Sequence, residues 1–265
     1  MAEPERISGT REWAVANVNC VTGCEHNCRY CYARFNAVQR FKRVANNDAW
    51  EKPQVREHDV RKSRRKIDGT IMFPTTHDIT PAVLEPCVEV LGKLLGAGNH
   101  VLVVSKPHLS CIERICSDFT SHKDQILFRF TIGAYDDTIL EHWEPGAPRF
   151  LERFNALQHA FKQGFDTSVS VEPMLDSDNI VQLYDMLEPF VTDAIWIGKM
   201  NKVRQRVDIF TEEDERHVEL IEVGQTDARI KGIYEALKGR GKVKWKESVK
   251  EVVGLALATE AGTDE

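Results

Sequence analysis

The chain has 265 residues, enough for one large domain or two small ones, and 42% of its residues are hydrophobic, which can supply a sizeable core. Its net charge of −6 excludes a globally basic nucleic-acid binder but allows a local basic patch. No apolar run approaches the length of a membrane span, and the polar start, 1–12, lacks the apolar stretch of a secretory signal. We therefore expect a cytoplasmic protein that does not associate with membranes.

Short apolar runs rich in β-branched and aromatic residues alternate along the chain with longer amphipathic stretches. These runs predict strands at 14–19, 70–73, 101–105, 126–131, 168–171, 194–197 and 242–245. Thr80 and Pro81 suit the start of a helix over 81–95. A second helix ends at Gly164 and would bury one apolar face, because four apolar residues recur at helical spacing: Phe150, Phe154, Leu157 and Phe161.

Strands that alternate with helices pair in parallel through right-handed crossovers, so the order of elements predicts an α/β sheet or barrel. No internal repeat or low-complexity linker interrupts the pattern, which favours a single domain over 1–265. The small and acidic residues at 260–265 predict a frayed tail.

Three of the seven cysteines, Cys24, Cys28 and Cys31, lie within eight residues in a loop just after the first predicted strand. In a cytosolic protein such crowding favours metal binding or redox chemistry over disulfides. Cubane iron–sulfur clusters normally take four thiolates, so three leave one iron open to another ligand. Zinc bound by these three and Cys20 is the alternative, although its ligands usually come in two separated pairs.

The sequence GCEHNCRYCYAR over 23–34, with Tyr30 before the last cysteine, resembles the signature of the radical S-adenosylmethionine (SAM) superfamily. The resemblance implies that Cys24, Cys28 and Cys31 bind a [4Fe–4S] cluster whose fourth iron is chelated by the amino and carboxylate groups of SAM. One electron then cleaves SAM to methionine and a 5′-deoxyadenosyl radical, which abstracts a hydrogen atom. It also implies a reduced flavodoxin or ferredoxin as electron donor.

Within that superfamily, the loop is similar to the branch related to spore photoproduct lyase, and later segments extend the likeness over most of 14–200. The matching segments are Thr75-Thr76-His77-Asp78, Ser105-Lys106, Arg129-Phe130-Thr131, Glu144 to Arg153, Glu172-Pro173 and Trp196-Ile197-Gly198-Lys199. The resemblance implies a partial (β/α)6 barrel of the TIM type, with a core over about 14–200 and extra C-terminal elements over about 201–259. Its site lies at the strand ends.

The SAM-site residues that this resemblance implies are Tyr30, Asp78, Lys106, Thr131 and Glu172. Structural interpretations stay open for several of them. Asp78 can form an Asx turn ahead of a helix, Lys106 can be solvated at a strand end, and Thr131 can be purely structural. Glu172 ends an apolar strand, so its partly buried carboxylate needs a partner.

The chain departs from the branch at Thr75, where spore photoproduct lyase carries a cysteine that returns a hydrogen atom to the product radical. A hydroxyl is a poor hydrogen-atom donor compared with a thiol, so photoproduct repair is not expected. Cys111 and Cys116 follow the third strand on a predicted helix. We expect buried core thiols there, rather than a second cluster formed with Cys87.

The segment 34–66 carries eleven Lys or Arg residues and four Asp or Glu residues directly after the cysteine loop. A basic stretch near a site suits a nucleic acid or another polyanion, whereas a solvated helix and loop is the more ordinary interpretation. A second basic stretch occupies 238–250, and no recognisable nucleic-acid module accompanies either.

The sequence therefore predicts a radical SAM enzyme that acts on an unidentified substrate, with a nucleic acid and a phosphorylated molecule as candidates. The alternative is a non-catalytic iron–sulfur or zinc protein used for electron transfer or assembly. The sequence specifies neither the final reaction nor the oligomeric state.

Overall fold

The computed structural model of this chain describes residues 7–263. In chain order its strands are β1 (Ala16–Asn17), β2 (Val21–Thr22), β3 (Gln54–Val55), β4 (Thr70–Phe73), β5 (His100–Ser105), β6 (Ile126–Thr131), β7 (Asp166–Val171), β8 (Ile195–Ile197) and β9 (Val243–Trp245). Its α-helices are α1 (Tyr32–Arg34), α2 (Asn47–Trp50), α3 (Glu57–Arg61), α4 (Leu84–Gly96), α5 (Leu109–Asp118), α6 (Asp137–Trp143), α7 (Phe150–Lys162), α8 (Ile180–Leu187), α9 (Val203–Arg206), α10 (Glu212–Gly224), α11 (Asp227–Leu237) and α12 (Glu247–Val253). A π-helix, Phe35–Arg40, directly follows α1.

Seven strands form one sheet in the order β1-β4-β5-β6-β7-β8-β9, and every neighbouring pair is parallel. The strands of this sheet lie side by side in the same order as they occur in the chain. This is the strand order of a parallel barrel, here without pairing of its first and last strands. All seven predicted strands lie in this sheet, and the predicted α/β fold class is confirmed. The separate pair of β2 and β3 was not predicted, because two residues per strand carry no periodicity.

The two predicted helices are present with differences in detail. The first begins as a 3-10 turn at Pro81–Val83 before α4, and the Thr80 hydroxyl makes no capping hydrogen bond. The second, α7, ends before Gly164, whose positive φ of 79° suits a glycine. The predicted buried face of this helix was wrong by part of a turn. Phe161 is 37% exposed, whereas Arg153 is fully buried.

The two faces of the main sheet differ in chemistry. Side chains alternate along β6, so Phe128 and Phe130 enter the main core, while Arg129 points to the opposite face of the sheet, which we call the concave face because a barrel winding turns it inward. There Arg129 Nε donates to Ser168 Oγ at 3.0 Å, and its guanidinium lies 4.6 Å from the ring centre of Trp13. The concave face is therefore lined in part by polar groups.

The C-terminal residues extend the sheet, since β9 pairs with β8 and α11 contacts both α8 and α12. Within the predicted frayed tail, the Gly262 amide donates to the carbonyl of Arg11 at 2.7 Å, while 264–265 lie outside the described residues. The division into core, extension and tail stays a prediction. No helix in residues 7–263 is long and apolar enough to cross a membrane.

Candidate functional site

The cysteine loop is held by close backbone packing on both sides. The Cys24 amide donates to the Trp50 carbonyl at 2.9 Å, and Gly23 has a φ of 92°. A Cβ on Gly23 would lie 2.5 Å from that carbonyl, so only glycine fits there. On the other side, a Cβ on Gly146 would lie 2.1 Å from the Glu25 carbonyl. These contacts fix the loop between the end of α2 and the segment that follows α6.

Cys24, Cys28 and Cys31 are free thiols that lie within electrostatic range of one another. Cys28 is buried and the other two are partly exposed. Burial raises the pKa of the Cys28 thiol to about 12, against the opposing effect of the nearby Lys106 ammonium. The cysteines must lose their protons to bind a metal, which leaves negative charge on the loop. The Lys106 ammonium group beside Cys28 offsets that negative charge.

Glu144 is the centre of a buried ion network behind Cys28. Tyr30 donates its hydroxyl to Glu144 Oε1, Arg153 Nη1 lies 2.5 Å from Oε2, and Lys106 Nζ lies 3.8 Å from Oε1. The side chains of Glu144 and Arg153 are 0% exposed. Burial alone would raise the pKa of the Glu144 carboxyl, but Arg153 and Lys106 together lower it below its usual value. Glu144 is therefore an anchored carboxylate.

Asp78 is a second buried anchor and engages both of its oxygens within the protein. It accepts hydrogen bonds from Ser105 Oγ at 2.5 Å, from the Lys106 amide at 2.9 Å and from the Ile79 amide at 2.8 Å. His26 Nδ1 lies 3.2 Å from its Oδ2. Although burial opposes ionisation, His26 and Lys106 hold the pKa of this carboxyl well below its usual range. Asp78 thereby links the cysteine loop to the end of β5.

Lys106 is not a solvated residue at a strand end. Its side chain is only 14% exposed, and its Nζ lies 5.6 Å from the ring centre of Tyr30. Asp78 fixes its backbone, while Glu144 and Cys28 attract its ammonium group, and these acidic neighbours raise its pKa despite burial. The structure therefore brings three of the five predicted SAM-site residues together beside the cysteines, namely Tyr30, Asp78 and Lys106.

No hydrogen bond or ion pair within residues 7–263 joins the side chain of Thr131 or Glu172 to that group. The Thr131 carbonyl accepts a hydrogen bond from Arg153 Nη1 at 3.3 Å, so Thr131 joins the network through its backbone. Glu172 follows β7 and lies 3.6 Å from Lys246 Nζ. Burial raises its pKa, which Lys246 opposes. The partner that sequence reasoning required for Glu172 is thus Lys246.

Lys246 is the centre of a charged cluster on the far side of the concave face. Its ammonium group is fully buried, 2.6 Å from Glu12 Oε1 and 3.9 Å from the ring centre of Trp13. Glu172 and Glu247 are its other acidic neighbours. Burial, reinforced by Glu247, raises the pKa of Glu12 from 4.5 to about 9. No local sequence pattern joins Glu12 to Lys246, which explains why both were missed.

Glu12→Gln is expected to stabilise the protein increasingly as pH rises. The pKa of Glu12 is higher in the folded chain than in the unfolded chain. The stabilisation that its protonated carboxyl gives the folded state is therefore fully present below about pH 4.5 and is lost as pH rises towards 9. We expect the variant to gain about 1 kcal/mol or more over the parent at pH 8 relative to pH 5, measured by urea unfolding. Glu219→Gln, at an exposed position of α10, is the matched control and should show no such trend.

The residues at the loop fit an iron–sulfur cluster with three protein ligands. Within residues 7–263 no three His, Cys, Asp or Glu side chains lie close enough to hold a single metal ion. The cysteines of a four-iron cluster each bind a different iron, so such a site needs no convergence on one ion. Cys20 does not join the loop thiols, because its Sγ lies 4.0 Å from Cys87 Sγ and 3.9 Å from His77 Nε2. The zinc alternative therefore lacks its fourth thiolate.

The remaining cysteines lie in the main hydrophobic core. Cys111 and Cys116 are buried on α5, and burial raises the pKa of the two thiols to about 11 and about 12 respectively. Cys87 packs from α4 against Cys20. These positions fit the interpretation of core thiols.

Comparisons with known proteins show similarity in fold. No protein-family model matches the chain, and no curated protein matches its sequence. One solved structure of a spore photoproduct lyase mutant aligns with a TM-score of 0.55 and 14% identity, covering 92% of this chain and 79% of the lyase chain. Another, of a mutant with dinucleoside spore photoproduct, aligns at 0.54 and 15% identity, covering 83% of this chain and 64% of that chain. A third mutant holds bound AdoMet and dinucleoside spore photoproduct, and it aligns at 0.54 and 14% identity over 86% of this chain and 67% of that chain. This chain therefore shares the fold of spore photoproduct lyase while spanning about two thirds of the length of the first of these structures.

Proposed function

We propose that this chain is a radical SAM enzyme in which Cys24, Cys28 and Cys31 hold a [4Fe–4S] cluster that leaves one iron open to SAM. One observation carries the proposal: three free thiols at the C-x3-C-x2-C spacing lie beside the ends of β4 and β5 in this fold. When bound, the cluster and SAM supply one-electron cleavage to methionine and a 5′-deoxyadenosyl radical that takes a hydrogen atom from the substrate. A reduced flavodoxin or ferredoxin provides the electron.

The residues around the loop hold charged groups in fixed positions beside the thiols. Asp78 and Glu144 hold Lys106 beside Cys28, where the ammonium group offsets thiolate charge and can meet the carboxylate of SAM. Tyr30 and Arg153 in turn hold Glu144 in a fixed position. Because its partner Glu144 is fixed, the Lys106 ammonium group does not have to reorganise when a ligand binds.

Thr75 differs from the hydrogen-returning cysteine of spore photoproduct lyase. Its hydroxyl accepts a hydrogen bond from Asn19 Nδ2 at 2.8 Å, and its carbonyl accepts one from the Tyr32 hydroxyl. These contacts place Thr75 at the edge of the cysteine loop. The proposed activity therefore excludes repair that returns hydrogen from a thiol at this position.

Anaerobic reconstitution with iron and sulfide, followed by SAM and dithionite, tests the proposed activity. The expected products are 5′-deoxyadenosine and methionine in equal amounts, detected by chromatography and mass spectrometry. A protein that binds iron and sulfide but forms neither product would be an electron-transfer or assembly protein. Zinc in place of iron in the purified chain would also contradict the proposal.

Lys106→Gln is expected to weaken SAM binding by about tenfold or more, because hydrogen bonds to a charged group contribute about 1.5–3 kcal/mol. Binding is measured on reconstituted protein by equilibrium dialysis without reductant. The variant removes the charge and keeps a polar side chain that is one atom shorter, and iron content reports whether the loop is intact. Lys162→Gln, exposed at the end of α7, removes the same charge and should leave SAM affinity unchanged. Equal affinities in the two variants would remove Lys106 from the SAM site.

A further inference from the structure

A cavity of about 530 Å³ opens beside the cysteine loop, between the π-helix Phe35–Arg40 and α9. Its lining consists of two aromatic rings, three amide side chains and three cations, with no carboxylate among them. The cations are Arg40, Lys202 and Arg206, and the rings are those of Tyr32 and Phe35. The cavity is therefore positively charged and rich in hydrogen-bond donors.

The three cations have no acidic partner in the part of the chain that the structure describes. No carboxylate within residues 7–263 lies within ion-pairing distance of Arg40, Lys202 or Arg206. The nearby Asp208 accepts hydrogen bonds from Gln39 Nε2 at 3.4 Å and from Asn47 Nδ2 at 3.2 Å, and Arg34 Nη2 lies 4.0 Å from it. Among the described residues, one of the three lining amides is therefore already engaged by a carboxylate, whereas the three cations are not. Like charges gathered around one cavity repel each other, and a bound anion would relieve that repulsion.

The cavity adjoins the candidate metal site. Tyr32 follows Cys31 directly and contributes its ring to the cavity wall. Arg206 lines the same cavity and lies within electrostatic range of both Cys31 and Glu172. A molecule that fills the cavity would therefore lie next to the cysteine loop.

The structure also divides the basic segment 34–66 into parts with different roles. On and beside α3 the charges are balanced locally, because Arg56 lies 2.6 Å from Asp59 and Arg61 lies 3.4 Å from Glu57. Arg40, in contrast, faces the cavity. The ordinary interpretation of a solvated helix thus fits the charges around α3, whereas the end of the π-helix carries a cation that lines a cavity.

We infer that this cavity binds a phosphate group of the substrate, an inference that rests on the proposed function. The three cations carry more positive charge than one carboxylate can neutralise, whereas a phosphate group brings about two negative charges and three terminal oxygens, which the cations and the Asn36 and Gln205 amides can share. Tyr32 and Phe35 provide apolar walls for the part of the substrate next to the phosphate. The anchored phosphate directs the reacting carbon towards the cysteine loop.

Binding is tested on the reconstituted full chain without SAM or reductant, using calorimetry. The probes are ribose 5-phosphate, uridine monophosphate and a short single-stranded oligouridylate, with ribose and uridine as phosphate-free counterparts. At least one phosphorylated probe is expected to bind about tenfold or more tightly than its counterpart, with affinity falling as salt rises. The tightest probe identifies the source of the phosphate as a sugar phosphate, a nucleotide or a nucleic acid.

Variants connect that binding to the cavity. Arg40→Gln is expected to weaken phosphate binding about threefold, and Arg40→Gln with Lys202→Gln about tenfold or more, at unchanged iron content. Lys231→Gln, exposed on α11, is the charge-matched control and should bind like the parent. Equal affinity for phosphorylated and phosphate-free probes, or undiminished affinity in the double variant, would overturn the inference. Because no turnover is involved, a chain that cleaves SAM but ignores phosphate would contradict this inference alone.

Discussion

Cys28→Ala is expected to remove the proposed iron–sulfur cluster and the proposed SAM cleavage together. Cys28 is the most buried of the three loop thiols, next to Lys106 and the Glu144 network, so no water or neighbouring side chain can readily replace its sulfur. Iron after reconstitution should fall from about four atoms per chain to almost none. Colorimetric iron and sulfide assays and the visible absorption of the cluster measure the loss, and 5′-deoxyadenosine formation should disappear with it.

Cys116→Ala is the matched control for that experiment. It removes a buried thiol from α5 in the main core, away from the loop, and should lower stability without changing iron content. If Cys28→Ala retained iron and sulfide at the parent level, the proposed ligand set would be wrong. If both variants lost iron equally, the loss would reflect general destabilisation, and intact binding in Cys24→Ala and Cys31→Ala would then exclude the loop as the cluster site.

The positions of the site residues were predictable where they follow parallel strands. Asp78 and Lys106 come after β4 and β5, and the carboxyl ends of neighbouring parallel strands meet at one edge of the sheet. The resemblance implied Asp78 and Lys106 as site residues, and the strand order then predicts that they lie close together without any knowledge of side-chain contacts. The three cysteines of the loop were predictable as neighbours for a different reason, because residues so close in sequence stay close in space.

The buried countercharges were not predictable in the same way. Apolar periodicity predicted that α7 would bury Phe161, yet the helix is rotated so that Arg153 faces inward towards Glu144. A hydrophobic pattern cannot anticipate this, because the orientation is set by a carboxylate on a different segment. Glu12 and Lys246 are even farther apart in sequence. They meet only because the residue after β9 packs against the N-terminal turn that ends at Glu12.

Arg153→Leu is expected to lower the free energy of unfolding by about 3–5 kcal/mol, because it leaves a fully buried carboxylate without its main counterion. Urea unfolding of the apo chain measures the loss. Arg149→Leu is the matched control at the start of the same helix, where the pair with Glu141 is exposed and should contribute less than about 1 kcal/mol. A double variant with Glu144→Leu should recover much of the loss, since no buried charge then lacks a partner.

The pH dependence of the same variant reports on the charge of Glu144. The pKa of Glu144 is lowered in the folded chain, so its contribution is present above the unfolded value of about 4.3 and is lost as pH falls through the lower folded value. The stability gap between the parent and Arg153→Leu should therefore narrow as pH falls, and the part of the narrowing below about pH 4.5 reports the lowered pKa of Glu144 in the parent. If Arg153→Leu lost no more free energy of unfolding at neutral pH than Arg149→Leu, Glu144 would not be held as a carboxylate. The buried network would then not be what fixes Tyr30 and Lys106 beside the cysteine loop.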